Sequence, residues 1–387
     1  MRLLFVVPPL VGHINPTVAV GAELAKRGCE VAWAGHPATL RRTLADDASI
    51  LPVLDDALAA RIETSRNGSL GLRGPAALKF FWEDFAIPLG HGMLHGVEAA
   101  LAGFQPDVVV SDQQALAGAL AARRATIPWV TSATTSSEFT RPLANLPKVE
   151  DWVRECIDGF QRACGVQDGV DLRFSDKLVL AFTTQTLVGG GRRFPPHYVF
   201  TGPALTARPE PTPFPWDWLV PGRKRVLVSL GTVYREAGRR FFAVALEAFA
   251  DLGAELQVIV VAPPDVVADP PEHVLVVDFI PQLAVLRHVD AVVSHGGHNT
   301  VCEALAHGRP LVVAAIRDDQ PIIAQQVADA GAGIRLRFAR VSAAELRGAV
   351  LALLGDPSYR EAAARIQESF RLAGGAAAAA DRLERVA

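Results

Sequence analysis

The sequence predicts an α/β protein of two domains, each a parallel sheet wound with helices on both faces. Three observations predict it. Strand-length runs in the first half, Leu3 to Pro8, Glu30 to Ala34, Asp107 to Ser111 and Pro128 to Thr131, are apolar nearly throughout instead of alternating, the pattern of strands covered on both faces. Amphipathic stretches stand between them, Pro16 to Arg27 closed by Gly28, and the alanine-rich Ala115 to Arg124, so the chain reads as βαβ units. The same grammar then restarts with Arg225 to Ser229, a helix over Phe241 to Leu252, and further strands at Leu256 to Val261, Val274 to Val277, Ala291 to Ser294 and Leu311 to Ala315.

The boundary between the halves is a proline-dense stretch, Ala207 to Trp216, ending at Pro221-Gly222. Proline at that density forms a semi-rigid extended connector. The expected division is a domain over 1–205, a connector over 206–222, a second domain over 223–370, and a helical tail over 371–387, broken at Gly374-Gly375, that packs back on the first domain. Two such domains facing each other leave a cleft at the strand carboxyl ends, where ligands of doubly wound sheets bind. Two long segments of the first half, about 51–101 and 132–169, carry Phe80, Phe81, Trp82, Phe85, His91, Met93, Phe139, Trp152 and Phe160. Insertions of this length often carry function. These side chains either pack against the sheet or line an apolar ligand pocket.

Composition narrows the function. A chain of 387 residues with a net charge of −3 has no field for gathering nucleic acid or anionic membrane. Four cysteines, Cys29, Cys156, Cys164 and Cys302, lack ligand spacing and suit free thiols in a reducing, cytoplasmic setting. The apolar start superficially resembles a signal peptide, but Pro8-Pro9 interrupts it and no small-residue cleavage site follows. No window reads as a membrane span. No metal cluster is evident, so the chemistry is expected from side chains and a bound cosubstrate.

The most informative segment runs from Asp278 to Gln320. The buried strand Ala291 to Ser294 ends at His295-Gly296-Gly297, and a helix is expected to start there and run to His307, with Gly308 beyond it. Glycines at such a turn let another molecule approach the backbone, and the amide groups of a helix N-terminus favour phosphate. Asn299 and Thr300 add donors in the first turn. The residues alone leave a diphosphate site and an ordinary tight turn both open.

The spacing of the block, His295, Gly296-Gly297, Asn299, Thr300, Glu303, Gly308, Pro310 and Asp319-Gln320, with Pro281-Gln282, Leu286 and His288 upstream, resembles the nucleotide-sugar signature of the family 1 glycosyltransferases. The resemblance implies a GT-B fold of two facing Rossmann-like domains. It implies Asp319 and Gln320 on donor-sugar hydroxyls, and Glu303 with Gln282 on the ribose. His295, Gly297, Asn299, Thr300 and the Thr232 hydroxyl would hold the phosphates, Phe279 would stack on the base, and the Ile280 backbone would pair with its edge. Two departures are clear: two residues fewer than the plant-type pattern between His288 and His295, and His298 where that pattern has tryptophan before the asparagine.

On the acceptor side, His13 follows the first strand and Asp112 follows the strand Val108 to Ser111, so both are delivered to one edge of the first sheet. A lone histidine in a turn is otherwise a structural or solvated residue, but the family's general base occupies this turn. A carboxylate on one ring nitrogen would fix the tautomer of that base; Asp112 could equally cap the helix that follows. The expected activity is an inverting, metal-independent transfer of a hexose or deoxyhexose from a UDP- or TDP-sugar, a cosubstrate and not a cofactor, to a hydroxyl of a hydrophobic small molecule. A nucleotide-sugar epimerase and a non-catalytic nucleotide-sugar binding protein are the competing readings, and gel filtration is to decide dimerisation. A dinucleotide oxidoreductase is excluded by the first turn, Pro8-Pro-Leu-Val-Gly-His13, which lacks GxGxxG.

Overall fold

Seven strands form the sheet of the first unit in the computed structural model, which describes residues 1–205, 213–231, 238–263, 265–267 and 269–386. They are β1 (Arg2–Val6), β2 (Glu30–Gly35), β3 (Ser49–Pro52), β4 (Val108–Asp112), β5 (Trp129–Ala133), β6 (Val179–Ala181) and β7 (Tyr198–Phe200), in the order β3-β2-β1-β4-β5-β6-β7. The second sheet holds β8 (Lys224–Ser229), β9 (Leu256–Val261), β10 (Val274–Val277), β11 (Ala291–Ser294), β12 (Leu311–Ala315) and β13 (Gly333–Arg337), in the order β10-β9-β8-β11-β12-β13. Every pairing is parallel. The central strands β1, β4, β8 and β11 are buried almost throughout, which explains their uninterrupted apolar sequence.

Each sheet reverses its winding once, between β1 and β4 in the first and between β8 and β11 in the second. Loops diverge at such a point and leave a crevice beyond the carboxyl ends of the two strands, the usual ligand position in doubly wound sheets. Parallel register brings those ends level: Val6 pairs with Ser111, and Ser294 with Ser229.

By its internal contacts the chain divides into Met1–Thr183, Arg193–Thr206 and Ala373–Ala387 on one side, and Thr184–Arg192 with Ala207–Leu372 on the other. Sequence boundaries differ from this in two places. Thr184–Arg192, expected in the first domain, goes with the second because Leu187 is buried in a cluster with Val285, Ile323 and Phe214. Residues 213–222, expected as free connector, are packed: Phe214 is in that same core, Gln257 donates to the Trp218 carbonyl and accepts from the Val220 amide, and Trp218 donates to the Glu272 carbonyl. The remainder of the connector, 206–212, lies outside the described residues. The tail helix Gly375–Leu383 buries Ala379, Ala380 and Leu383 against Ile14, Val20 and Leu24, and Arg27 binds Asp381 and Glu384.

The long insertions are mainly helical, Asp56–Gly68, Pro75–Lys79, a π-helical turn Phe80–Ala86, Ile87–Phe104 and Pro147–Ala163. Trp82, Phe85, Met93 and Phe160 are at most 3% exposed within the core that covers the sheet, and Phe80, Phe81 and Trp152 pack against it. Phe139 is buried in a separate cluster with Val179 and Ala181. Trp82, Phe85, Met93, Phe139 and Phe160 therefore fill cores and do not line a pocket, each contributing ~1.5–3 kcal/mol through burial. Among the described residues no helix is long and apolar enough to cross a membrane, and all four cysteines are free thiols.

Candidate functional site

At the crevice of the first sheet, the helix Val11–Lys26 starts five residues before the expected Pro16, so His13 lies in its first turn and not in a loop before it. Amides of a first turn have no helical acceptor, and Pro16 forfeits only the bond its missing N–H would have made to Gly12. Asp112 is the last residue of β4 and its side chain is fully buried, while that of His13 is 15% exposed. His13 Nδ1 lies 3.0 Å from both Asp112 oxygens. Gly118 lets the next helix settle onto β4, since a Cβ there would come within 2.4 Å of Ser111 Oγ.

A third group completes the cluster. Thr134, one residue past β5, donates its hydroxyl to Asp112 Oδ2 over 2.7 Å and lies 2.7 Å from His13 Nδ1. Asp112 Oδ1 also accepts the Gln114 amide at 2.8 Å. The two readings of Asp112, turn cap and histidine partner, are thus satisfied together by different lone pairs of one carboxylate. With a buried carboxylate against Nδ1, that nitrogen carries the proton and Nε2 is left as the basic one; imidazolium, once formed, is stabilised in place. Sequence reasoning missed Thr134. Its signal was the hydroxyl-rich run Thr131 to Ser137, which leaves β5 at the edge where His13 and Asp112 emerge.

The crevice of the second sheet is built differently. Gly231, after β8, and Gly297, after β11, both abut the His295 ring: a Cβ on either would come within 2.8 Å of it. Gly231 and Gly296 also hold φ of 71° and 90°, a region glycine enters without strain. This winding keeps 295–297 out of the helix, which begins at His298, straight after the glycine turn as expected, and ends at Ala306. Packed in this way, His295 is held neutral: burial lowers its pKa to about 4, against a weaker opposing bond to the Ser229 backbone. Asn299 and Thr300 occupy the helix's first turn, whose amides lack helical acceptors, so this end of the crevice offers several donors. His298, 6% exposed, turns its ring to Cys302, 3.6 Å away.

Around this crevice, Gln282 donates to Glu303 Oε2 at 2.5 Å, and Glu303 is only 2% exposed. Phe279 is 50% exposed, while Ile280 packs against the core. Asp319 stands at the start of the helix Gln320–Asp329. Gln320 departs from the expected role in part: its amide oxygen accepts the Ile316 and Arg317 amides at 2.9 and 3.1 Å, bracing the loop after β12. Thr232 lies outside the described residues. Among the described residues, no three His, Cys, Asp or Glu side chains gather in a way that could hold a metal ion.

Two doubly wound parallel sheets of these strand orders give the protein the GT-B fold, and comparison with known proteins agrees. Residues 243–381 match the model of the erythromycin biosynthesis protein CIII-like C-terminal domain. The chain is 32% identical over 422 residues to 4'-demethylrebeccamycin synthase of Lentzea aerocolonigenes, covering 99% of each, and 30% identical to demethyllactenocin mycarosyltransferase of Streptomyces fradiae, covering 99% of this chain and 86% of that one. The calicheamicin glycosyltransferase CalG4 superposes with a TM-score of 0.82 at 26% identity, covering 100% of this chain and 98% of its own. The glycosyltransferase VinC, solved in complex with dTDP, shares the fold with a TM-score of 0.76 at 22% identity, over 100% of this chain and 99% of its own. The chain belongs to the bacterial natural-product glycosyltransferases.

Proposed function

We propose that this glycosyltransferase moves a hexose or deoxyhexose from a UDP- or TDP-sugar to a hydroxyl of a hydrophobic small molecule, with inversion and without a metal ion. The observation that carries the reading is the buried His13–Asp112–Thr134 cluster at the winding reversal of the first sheet. His13 Nε2 takes the proton of the acceptor hydroxyl as its oxygen attacks the anomeric carbon opposite the diphosphate. Attack on that face with no covalent intermediate inverts the centre. Asp112 and Thr134 hold the ring and stabilise the imidazolium.

Negative charge grows on the departing diphosphate, and amides, hydroxyls and a neutral imidazole around His295 answer it with preorganised hydrogen bonds. This division of labour supports metal independence. The exposed Phe279 ring suits a base, and the Gln282–Glu303 pair suits ribose hydroxyls. Asp319 and the Gln320 nitrogen suit the sugar. The thymidine diphosphate bound in VinC and in the spinosyn rhamnosyltransferase SpnG favours a TDP-linked donor.

The test is incubation with TDP-glucose and UDP-glucose, both α-linked, and a panel of aromatic and macrolide acceptors. A β-glycoside identified by its proton NMR coupling, formed at full rate in excess chelator, is expected. An α-linked product, or a rate abolished by chelation and restored by a divalent cation, overturns the mechanism. Melting-temperature shifts with TDP and UDP rank the donors.

A further inference from the structure

Beside the His13 cluster, the first unit encloses a second carboxyl that the transfer chemistry does not use. Glu138 lies four residues past Thr134, its side chain 15% exposed. Gln113, next to Asp112 and 1% exposed, donates Nε2–H to Glu138 Oε1 over 3.1 Å. The other two oxygens of this pair, Gln113 Oε1 and Glu138 Oε2, have no hydrogen-bond partner among the described residues. Arg173 does not supply one. Its Nε and Nη2 bind Asp171 at 2.9 and 2.8 Å, and Nη1 stays 3.9 Å from Glu138 Oε2. Because Arg173 is within ion-pair distance of Glu138 but is hydrogen-bonded to Asp171, an ionised Glu138 is only partly compensated, and it lies close to the Asp112 carboxylate.

We propose that Glu138 is a positioning residue for the His13–Asp112 pair: as a neutral carboxylic acid it closes a ring of two hydrogen bonds with the Gln113 amide, tying the turn that carries Asp112 to the segment that carries Thr134. One proton satisfies both remaining oxygens: Gln113 Nε2–H donates to Glu138 Oε1, and Glu138 Oε2–H donates to Gln113 Oε1. Electrostatics point the same way, since burial pushes the Glu138 carboxyl up, and Asp171 and Asp112 add to that against Arg173 and the Gln113 bond. The role rests on His13 being the base.

Two variants of the full chain test it. Glu138→Gln keeps the ring, because a carboxamide donates where the acid did; Glu138→Ala removes it. With TDP-glucose and a nitrophenol acceptor, Glu138→Gln should hold kcat within about twofold, whereas Glu138→Ala should lower kcat about tenfold with the donor KM unchanged, the signature of a misplaced catalytic group. A readout without substrate is the melting temperature against pH. The folded chain holds this proton more tightly than the unfolded chain, whose glutamate titrates near about 4.3, so wild-type stability falls as pH rises above that value and Glu138→Gln removes that part of the fall. If Glu138→Gln loses as much kcat as Glu138→Ala, or its melting curve runs parallel to wild type across pH, the carboxylate is ionised and the proposal is wrong. A His13→Ala variant that keeps kcat would instead sink the base assignment, and the melting curves would still judge Glu138.

Discussion

Two histidines sit just past central strands at the winding reversal of the two sheets, His13 after β1 and His295 after β11, and their surroundings are opposite. His13 has a buried carboxylate and a hydroxyl on Nδ1. His295 is wedged between two glycines, and burial lowers its pKa to about 4. One ring is oriented by a carboxylate, and the other is kept neutral by burial. The lesson is that a histidine at the carboxyl end of a sheet is set for its role by what faces it, a carboxylate or a wall of backbone.

The largest expected break in this comparison is His13→Ala, which should lower kcat about 10³-fold, the scale of losing a general base, while calorimetry shows unchanged TDP binding. Loss of both would move His13 to a structural role. Asp112→Asn should follow at about 10²-fold in kcat, because an amide in place of the carboxylate can neither fix the tautomer nor stabilise imidazolium; kcat against pH is the measurement. Activity within twofold of wild type would leave Asp112 only its structural bonds from the Gln114 amide and the Thr134 hydroxyl.

His295→Ala should weaken TDP binding about tenfold by calorimetry, the loss of one buried hydrogen bond, and leave the acid limb of the pH profile, which reports the base, where it was. Acid stability sharpens the same contrast. His295 has a folded-state pKa near 4 against 6.5 for the ordinary imidazole, so the unfolded chain binds its proton first. Its contribution is complete above about pH 6.5 and is lost as pH falls towards 4, up to roughly 3 kcal/mol. His295→Gln should therefore flatten the decline of melting temperature over that window, and an unchanged slope would show that the ring is not desolvated in solution. The smallest effect is expected for Thr134→Val, a threefold to tenfold loss in kcat, on the order of one hydrogen bond, with normal donor binding. If wild-type rates persist, Thr134 is only a spacer.

The sequence by itself determined the α/β class, the two sheets and their central strands, because strands covered on both faces must be apolar throughout and Gly28 and Gly308 punctuate helices by local geometry, whereas β3, β6, β7 and β13, short or at a sheet edge, lack that signature. It also pointed to the pairing of His13 with Asp112, since parallel strands deliver their ends to one edge. Tertiary structure decided the rest. Thr134 and Glu138 reach this cluster from a third strand's exit, a contact between residues more than 20 positions from Asp112 that no local pattern encodes. Whether Trp82, Phe85 and Phe160 line a pocket or fill a core depends on which face their helices turn to the sheet, and hydrophobicity alone is the same in both cases. Phe214 makes the same point in a proline-rich stretch: its composition allows an extended connector, and only the second unit's core, by accepting one ring, fixes where that chain lies.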